Sequence, residues 1–319
     1  MFFLFHHGYS YGHSGYKENV DFQAEKRVYK SDDDFKRQAR ALQFAYREEV
    51  LHDYNEYRAP QVLLSKANAN RGLIFYEEYR DLIMSKIKTG SVDTQLTANM
   101  LRSEHIPYNL IVPLETMPEV STRIFSTITG VMIKNVSAIA IEYAGSGGKS
   151  LYLNDHTSFD AYVQYEAYDG RTGGIGIEVK YTENEYALGD KEGKGVSGNN
   201  IRYRQMTAKS GYYHPGLDIK MFLTAHHLRQ IWRNHILGFS MKDKGDVQIM
   251  HYVHLYPQNN KHIHRHVIPD YRKLLTASGN ESFKSITYEN YFAMLDKYSK
   301  DDRARNWVNY LRARYLPMK

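Results

Sequence analysis

The stretch SFDAYVQYEAYDGRTGGIGIEVKYTE, residues 158–183, decides the fold that we predict for this chain. Residues 159–168 and 174–182 alternate in the manner of half-buried β-strands. The residues between the two runs, Asp169-Gly170 and Gly173-Gly174, favour a turn. The stretch is therefore predicted to fold as an antiparallel hairpin.

This hairpin would bring charged residues together at one of its ends. Folding about the turn places Asp160 roughly opposite residues 180–182, give or take a register step. The strand period of two places Glu178, Lys180 and Thr182 on one face of the second strand. Two carboxylates and a lysine would then converge in a neighbourhood that is otherwise apolar.

A pair of carboxylates beside a lysine suits metal-dependent chemistry on phosphate esters. Carboxylates are hard oxygen ligands for Mg²⁺, which keeps several waters and also binds phosphate oxygens. The metal polarises the phosphoryl group, while a lysine can orient the attacking water and stabilise the developing charge. The alternative is a buried pair of Glu178 and Lys180 that only neutralises itself. The additional carboxylate of Asp160 favours the catalytic interpretation.

These residues resemble the signature of a known family. Asp160, followed after seventeen residues by Glu178-Val179-Lys180, is similar to the motif of the PD-(D/E)XK, or restriction-endonuclease-like, nucleases. The proline of that motif is Phe159 here, and because the proline binds no metal in the family, the predicted chemistry is unaffected. An uncharacterised bacterial branch of restriction-endonuclease-like proteins is similar over three segments, residues 141–144, 158–162 and 175–183.

The resemblance implies an α/β fold, with a restriction-endonuclease-like mixed β-sheet core flanked by helices. The family core is a helix, three strands, a helix and a fourth strand. Residues 136–144 are predicted to form the first strand, residues 226–242 the second core helix and residues 247–256 the fourth strand. A short helix is predicted at residues 121–132, ahead of the first strand.

Three regions are predicted along the chain. They are a helical N-terminal region at residues 1–94, a nuclease core at 95–275 and a helical, basic C-terminal extension at 276–319. Helical spacing before residue 110 predicts helices over residues 31–58, 72–88 and 92–104. Pro60 is expected to end the first of these helices, and Pro107 to break the pattern after the third.

The resemblance implies specific roles for the residues of the motif. Asp160, Glu178 and the backbone of Val179 are the implied ligands of Mg²⁺, for which Mn²⁺ can substitute. Lys180 is the residue that the family uses to position the attacking water. No small-molecule cofactor beyond the metal is expected.

Family members often add a carboxylate from the first core helix or the first strand. Glu104 lies just before Pro107, where the family places its helix, although an exposed side chain is ordinary at a helix end. Glu142 lies on an otherwise apolar strand, where either metal binding or a structural ion pair would explain it. Both residues remain candidates for the catalytic site.

Basic and amide side chains are candidates for nucleic-acid binding. Gln230 and Arg233 lie one turn apart on the second core helix. Their side chains could face either the site or the solvent. Residues 300–319 carry six basic and two acidic side chains, which suits a polyanion. The other candidates are arginines beside tyrosines or in this tail: Arg202, Arg204, Arg303, Arg305, Arg312 and Arg314.

The rival interpretation of the tail is a solvated helix that packs through an apolar stripe. Trp307, Leu311 and Tyr315 recur every four residues, so this helix should dock by that face under either interpretation. The arginines at 305, 312 and 314 are expected to remain largely outside the stripe.

Histidines are concentrated in one part of the chain. Eight of the fifteen lie between residues 226 and 266. His262, His264 and His266 alternate, and a strand would place them on one face, which is a spacing that suits an imidazole metal site. We favour a polar surface near nucleic acid, because asparagine and basic residues are interspersed with them.

Composition excludes several classes of protein and site. The chain has 319 residues and no cysteine, so thiol nucleophiles, disulfides and cysteine-bound metals are excluded. No window approaches the roughly 18 apolar residues of a membrane-spanning helix. The first five residues are apolar, but the basic residues that precede the apolar stretch of a signal peptide are absent. We therefore expect a cytoplasmic protein.

Taken with the resemblance, these features predict an Mg²⁺-dependent endonuclease that hydrolyses DNA, in restriction or defence. Two alternatives stay open, a non-catalytic nucleic-acid-binding protein with a nuclease-like fold and a nuclease of RNA or branched DNA. The expected partner is DNA, with no membrane. A homodimer is left open, because the sequence does not determine the oligomeric state.

Overall fold

One mixed sheet organises the described part of the protein in this computed structural model. The structure describes residues 29–54, 62–87, 94–155, 157–184 and 200–317. The strands are β1 Ile133–Tyr143, β2 Phe159–Ala167, β3 Thr172–Val179, β4 Ile249–Tyr256 and β5 Phe283–Thr287. They lie side by side in chain order, with β1, β2 and β3 antiparallel and β3, β4 and β5 parallel.

Helices precede and follow this sheet. The N-terminal ones are α1 Asp34–Ala45, α2 Lys66–Asn70, α3 Arg80–Lys86, α4 Thr94–Ala98, α5 Ile106–Leu110 and α6 Pro118–Thr129. Between β3 and β4 lie α7 Asn200–Ser210, α8 Lys220–Thr224 and α9 His226–Asp243. The later ones are α10 Ile268–Lys273, α11 Ala277–Ser282, α12 Tyr288–Tyr298 and α13 Asp302–Tyr315. The predicted α/β architecture, a mixed sheet flanked by helices, is confirmed.

Helix α9 covers one face of the sheet, and glycines make room for rings beneath it. A Cβ at Gly176 would lie 2.3 Å from the ring of Phe159, and one at Gly174 would lie 2.5 Å from the hydroxyl of Tyr162. Such contacts are too short for any side chain, so glycine is required at both positions. The rings pack there with Trp232 of α9 in one buried cluster.

The opposite face is covered by helices from both ends of the chain. Ile177 of β3 and Val253 of β4 share one buried cluster with Phe35 of α1, Tyr291 of α12 and Trp307 of α13. Residues from all three predicted regions therefore form a common core. The boundaries predicted at residues 94 and 275 remain a prediction.

The hairpin forms, but its register differs from the predicted one. Glu166 pairs with Thr172 across the turn, and Ala161 pairs with Ile177 at the other end. This register places Asp160 opposite Glu178 rather than opposite residues 180–182. The turn sets the register, and the sequence spacing alone does not determine the turn, because any of its glycines could occupy the positive-φ position.

The first predicted helix has the expected beginning and a different end. Asp33 accepts a hydrogen bond from the Lys36 amide at 2.8 Å, so it caps α1 as an acidic N-cap should. The helix continues as a π-helical segment, Tyr46–Val50, and is not helical at residues 52–54. Residues 55–58 of the predicted helix lie outside the described residues.

The other two predicted N-terminal helices are wrong in extent. Within residues 72–87, a 3₁₀ turn at Glu77–Tyr79 and α3 are the helical parts, and within residues 94–104 the prediction holds only for α4. Residues 88, 92 and 93 of the predicted helices lie outside the described residues. Asn99 instead forms an isolated β-bridge with Leu63. Helical spacing does not reveal such a tertiary partner.

Pro107 does not break a helix, because it lies in the first turn of α5. Proline is tolerated there, since the first N–H groups of a helix have no partner within it. Glu104 consequently precedes a helix instead of ending one.

The histidines at 262–266 do not alternate along a strand. Residues Ile263–Val267 form a π-helical segment that runs directly into α10. The three rings are therefore not aligned on one strand face, and the predicted basis for an imidazole metal site is wrong. No helix among the described residues is long and apolar enough to cross a membrane.

Candidate active site

Asp160 and Glu178 lie opposite each other where the hairpin strands end. Ala161 and Ile177 are the last paired residues of β2 and β3, so the next residues face each other on the side that α9 covers. The amide of Val179 donates a hydrogen bond to Oδ2 of Asp160 at 2.7 Å. The carboxylate thus replaces a backbone acceptor at the end of the ladder and is tied to β3.

The carbonyl oxygen of Val179 points to the same side as Asp160. In an extended strand, the N–H and C=O of one residue point to the same edge, and those of the next residue to the other. The Val179 amide points to Asp160, whereas the Lys180 amide donates to the Leu255 carbonyl of β4 at 2.9 Å. A backbone oxygen therefore accompanies the Asp160 carboxylate.

Glu178 is buried and held by three hydrogen-bond donors. Its side chain is 1% exposed, and Oε1 accepts from Lys180 Nζ at 2.6 Å and from Gln230 Nε2 at 2.5 Å. Oε2 accepts from Asn234 Nδ2 at 2.5 Å. Each carboxylate oxygen has about two lone-pair sites. Oε2 therefore retains one site for a further ligand.

Gln230 and Asn234 can act together because they lie four residues apart on α9. This spacing places their side chains on the same face of the helix, one turn apart. Their amide nitrogens contact different oxygens of Glu178, which fixes the plane of the carboxylate.

The charges at the site depend on one another. Burial by itself lowers the pKa of Lys180, but the carboxylates of Glu178, Asp160 and Glu183 raise it by more, so the ammonium form is favoured. Burial and the Glu178 carboxylate raise the pKa of Asp160 well above its ordinary range, against the influence of Lys180. A bound cation would relieve this repulsion between the two carboxylates.

Contacts from several elements hold the segment that follows β3. The hydroxyl of Tyr288, in α12, donates to the Lys180 carbonyl at 2.7 Å. Asn260 Nδ2 donates to the Tyr181 carbonyl at 3.2 Å, and the Ser103 amide donates to Glu183 Oε1 at 2.7 Å. Lys180 is thereby held in place although it lies beyond the strand.

Glu104 lies near this segment. It pairs with Arg102 at 2.6 Å, and its Oε2 atom is buried without a hydrogen-bond partner among the described residues. Burial raises the pKa of Glu104, the nearby Glu183 raises it further, and Lys180 opposes the shift. Arg102 opposes the shift more strongly than Lys180 does, so the ion pair with Arg102 is the main charge contact of Glu104.

Glu142, the other candidate, borders the site from the end of β1. Its backbone has a φ of 52°, a left-handed conformation that costs a non-glycine residue about 1–3 kcal/mol. Its Oε2 atom accepts a hydrogen bond from the Ser158 hydroxyl at 3.2 Å. Its charge also contributes to the raised pKa of Asp160. Glu142 thus acts on the charge of Asp160, as Lys180 acts on that of Glu104, but neither carboxylate forms a metal-holding group with the motif residues in the described part of the chain.

The candidate metal ligands at this site are oxygen atoms. The described residues contain no group of three or more His, Cys, Asp or Glu side chains placed to hold a metal ion. Mg²⁺, however, is usually held by one or two carboxylates and keeps several waters. Asp160, Glu178 and the Val179 carbonyl provide such a set. The residues present therefore fit a hydrated, hard divalent cation.

A comparison with protein families adds independent information. A model of the PD-(D/E)XK nuclease superfamily matches residues 30–317, nearly the whole chain. The chain belongs to this superfamily. Membership implies nuclease activity and a nucleic-acid substrate, and PD-(D/E)XK nucleases typically use divalent metals. Comparisons with curated proteins and with solved structures found no match.

Two residues of this PD-(D/E)XK chain that were predicted to bind nucleic acid have internal partners instead. Gln230 contacts Glu178, as described above. Arg233 is 3% exposed and donates to Oδ2 of Asp155 from Nε at 3.1 Å and from Nη2 at 2.9 Å. The nucleic-acid contact expected for Arg233 is therefore contradicted, because its side chain lies inside the fold and is neutralised there.

The arginines beside Tyr203 differ from each other. Arg202 donates to the carbonyl oxygens of Tyr152 at 2.6 Å and Leu151 at 2.7 Å, so it bridges α7 to the loop before β2. Arg204 is exposed and remains a candidate for contacting the substrate.

The C-terminal arginines also divide into two groups. Arg303, Arg305 and Arg312 are partly exposed and pair with Glu78 at 3.0 Å, Asp302 at 3.5 Å and Asp296 at 3.2 Å. Such surface pairs are weak, so these arginines remain available to a polyanion.

Arg314 is fully buried, with its guanidinium 4.6 Å from the ring centroid of Tyr46 and 5.2 Å from that of Tyr315. The prediction that it lies outside the apolar stripe is wrong. Arg314 is seven residues after Trp307, and i, i+4, i+7 and i+8 share one helix face.

Sequence reasoning did not identify Asn234, which contacts Glu178 as closely as Gln230 does. The signal available was the spacing of four residues between two amide side chains on a predicted helix. His254 was also not assigned to the site, although it pairs with Glu178 in the register of β3 and β4. Burial and the charge of Lys180 lower the pKa of His254 to about 3.

Proposed function

We propose that the protein is an Mg²⁺-dependent endonuclease that hydrolyses phosphodiester bonds of DNA, in restriction or defence. The observation that carries the proposal is the position of Asp160 opposite Glu178 across the hairpin, with Lys180 bonded to Glu178 at 2.6 Å. Two carboxylates and a fixed ammonium group are the parts that metal-assisted attack on a phosphodiester needs.

Asp160, Glu178 and the backbone oxygen of Val179 would hold the metal ion. When bound, Mg²⁺ supplies positive charge to the scissile phosphate and acidifies a bound water. Oε2 of Glu178 is the oxygen with a lone pair to offer, because Oε1 already accepts two hydrogen bonds. Gln230 and Asn234 keep that oxygen in a fixed orientation.

Lys180 acts as a donor rather than as a base in this proposal. Its raised pKa keeps the side chain protonated, so it can orient the attacking water and stabilise negative charge at phosphorus. The proton of the attacking water must then leave to another acceptor. Glu104 lies in the same neighbourhood and carries a partnerless oxygen, which makes its carboxylate the candidate for that role.

The test is cleavage by the purified protein of closed circular, linear and single-stranded DNA and of RNA, with Mg²⁺, Mn²⁺ or EDTA. We expect cleavage of circular DNA with either metal and none in EDTA. A matched Asp160→Asn protein controls for contaminating nucleases. Cleavage of RNA alone would change the substrate class. Binding without cleavage under every condition would favour a non-catalytic nucleic-acid-binding protein.

A further inference from the structure

A small cavity lies beside Lys180, on the side of α9 and β4. Its lining includes Lys180, Gln230 and His254, together with Glu183 and Ile263. The cavity volume is about 20 Å³, which is enough for about one water molecule. Its walls are polar enough to hold one, since a buried water needs two to four hydrogen-bond partners.

His254 presents a ring nitrogen to this cavity. The residue is 3% exposed, and its Nδ1 atom lies 3.2 Å from the Tyr252 hydroxyl. Nε2 has no hydrogen-bond partner among the described residues, and it is not one of the atoms sealed in the interior. Because His254 lines the cavity and Nδ1 contacts Tyr252, Nε2 is the ring nitrogen available to the cavity.

Lys180 also has unused hydrogen-bonding capacity there. An ammonium group has three N–H donors, and one of those of Lys180 is committed to Glu178 Oε1. Gln230 contributes its side chain to the cavity wall, but its amide nitrogen is bonded to the same Glu178 oxygen and its Oε1 atom is sealed in the interior. An ammonium donor and an imidazole nitrogen therefore border a space the size of one water.

We propose that one water molecule in this cavity links Lys180 to His254, and that His254 is thereby a positioning residue for Lys180. The inference rests on the proposed nuclease function. The water accepts a hydrogen bond from Lys180. It keeps one lone pair and its two protons, so either tautomer of His254 can pair with it through Nε2.

This bridge determines where the remaining donor of Lys180 points. Two of the three N–H bonds are directed at Glu178 and at the cavity water, so the third is left for the attacking water or the phosphate. Misplacing a catalytic group by about 1 Å can cost about 100-fold in rate. Loss of the bridge should therefore lower the rate of the chemical step without weakening substrate binding.

Two substitutions separate the two ring nitrogens. The amide of His254→Gln reaches the position of Nε2, whereas that of His254→Asn reaches the position of Nδ1 and keeps the contact with Tyr252. We expect His254→Asn to lower single-turnover cleavage about 10- to 100-fold with an unchanged KM for DNA. We expect His254→Gln to restore most of the wild-type rate.

His251→Asn is the matched control. His251 lies on the same strand and is also buried, but strand alternation directs it to the opposite face of the sheet. We expect its cleavage rate to equal that of the wild type. A purely structural role for His254 would give the reverse order, with Asn active and Gln impaired. That order, or wild-type rates in both His254 variants, would overturn the proposal.

A crystal structure of the wild type separates this inference from the nuclease function itself. We expect an ordered water within hydrogen-bonding distance of both Lys180 Nζ and His254 Nε2. A dry cavity would overturn the bridge, whether or not the protein cleaves DNA. A wild-type protein that cleaves no nucleic acid would instead overturn the proposed function. The presence or absence of the ordered water would still test the bridge.

Discussion

Asp160 faces Glu178 across the β2–β3 hairpin, one residue beyond the last backbone pair, and its carboxylate accepts a hydrogen bond from the Val179 amide at 2.7 Å. The two carboxylates therefore meet because of the strand register. The hairpin, rather than a flexible loop, fixes their positions. Lys180 follows at once, and its backbone is held by β4 and α12.

Replacing the metal ligands and replacing the lysine should have different effects. Glu178→Gln should abolish both cleavage and Mn²⁺ binding, because the amide loses the ligand charge. Lys180→Met should retain Mn²⁺ binding and lose about 100- to 1,000-fold in cleavage, since it removes only a charge-stabilising donor. Calorimetric Mn²⁺ titration beside a cleavage assay checks both. Equal loss of metal binding in the two variants would contradict the assigned roles.

Asn234→Ala should weaken metal binding without removing a ligand. Asn234 donates to Oε2 of Glu178 at 2.5 Å, and losing a partner that orients a metal ligand typically costs about 10- to 100-fold in metal affinity. The Mg²⁺ concentration for half-maximal cleavage should rise by this factor, with the rate at saturating Mg²⁺ close to that of the wild type. An unchanged Mg²⁺ requirement would show that Asn234 has no such role.

Arg233→Met should destabilise the fold. Removing one partner of a buried ion pair leaves the other charge uncompensated and costs about 3–5 kcal/mol, and Asp155 is the charge left behind here. Urea unfolding measures this loss in the free energy of unfolding. Arg204→Met, at an exposed position, is the control and should change stability little. A stable Arg233→Met protein with weakened DNA binding would restore the phosphate-contact interpretation.

The same ion pair should make stability depend on pH. Burial opposes ionisation of Asp155, but Arg233 and the hydrogen bonds from Tyr203 and Thr157 outweigh it and lower the pKa of Asp155 below its ordinary value of 3.8. The stabilisation is then complete above that ordinary value and is lost as pH falls through the lower, folded-state pKa. Asp155→Asn should be less stable than wild type at pH 7, and the difference should shrink in acid. A constant difference over that range would refute the linkage.

The exposed C-terminal arginines should contribute to DNA binding through phosphate contacts. Replacing Arg305 and Arg312 by Ala should weaken binding of every sequence and lower the slope of log K against log salt by about 2. A salt titration in Ca²⁺ measures the slope without supporting cleavage. An unchanged slope would leave this helix with a structural role alone.

Arg314 should behave differently from those two arginines. Its guanidinium is buried between tyrosine rings, so Arg314→Ala should lower the free energy of unfolding rather than the salt slope. Thermal unfolding of the single variant distinguishes the two effects. A lowered slope with unchanged stability would mean that the residue faces the substrate.

The hairpin and its three charged residues were predictable because the information is local. Alternation over residues 159–168 and 174–182 and the glycines between them specify two strands and a turn, and the motif residues lie within one contiguous stretch. The exact register of the two strands was not predictable from the sequence, because it depends on which turn residues adopt positive φ.

Contacts between segments that are distant in the chain could not be predicted from local sequence patterns. Asn234 meets Glu178 only because α9 packs across the sheet, and Ser103 meets Glu183 only because the segment before α5 folds against the end of β3. Arg314 illustrates a further limit, because a charged residue beside an apolar stripe can be drawn inside with it. Periodicity identifies a buried face, but not its edges.

Cleavage of closed circular plasmid DNA by wild-type protein and by the Asp160→Asn protein, each in Mg²⁺, is the most direct test of the proposed site. We predict that the wild type converts the circle to nicked or linear DNA, that EDTA abolishes this, and that Asp160→Asn folds normally but leaves the circle intact. Wild-type cleavage by a folded Asp160→Asn protein, or activity that persists in EDTA, would contradict the account.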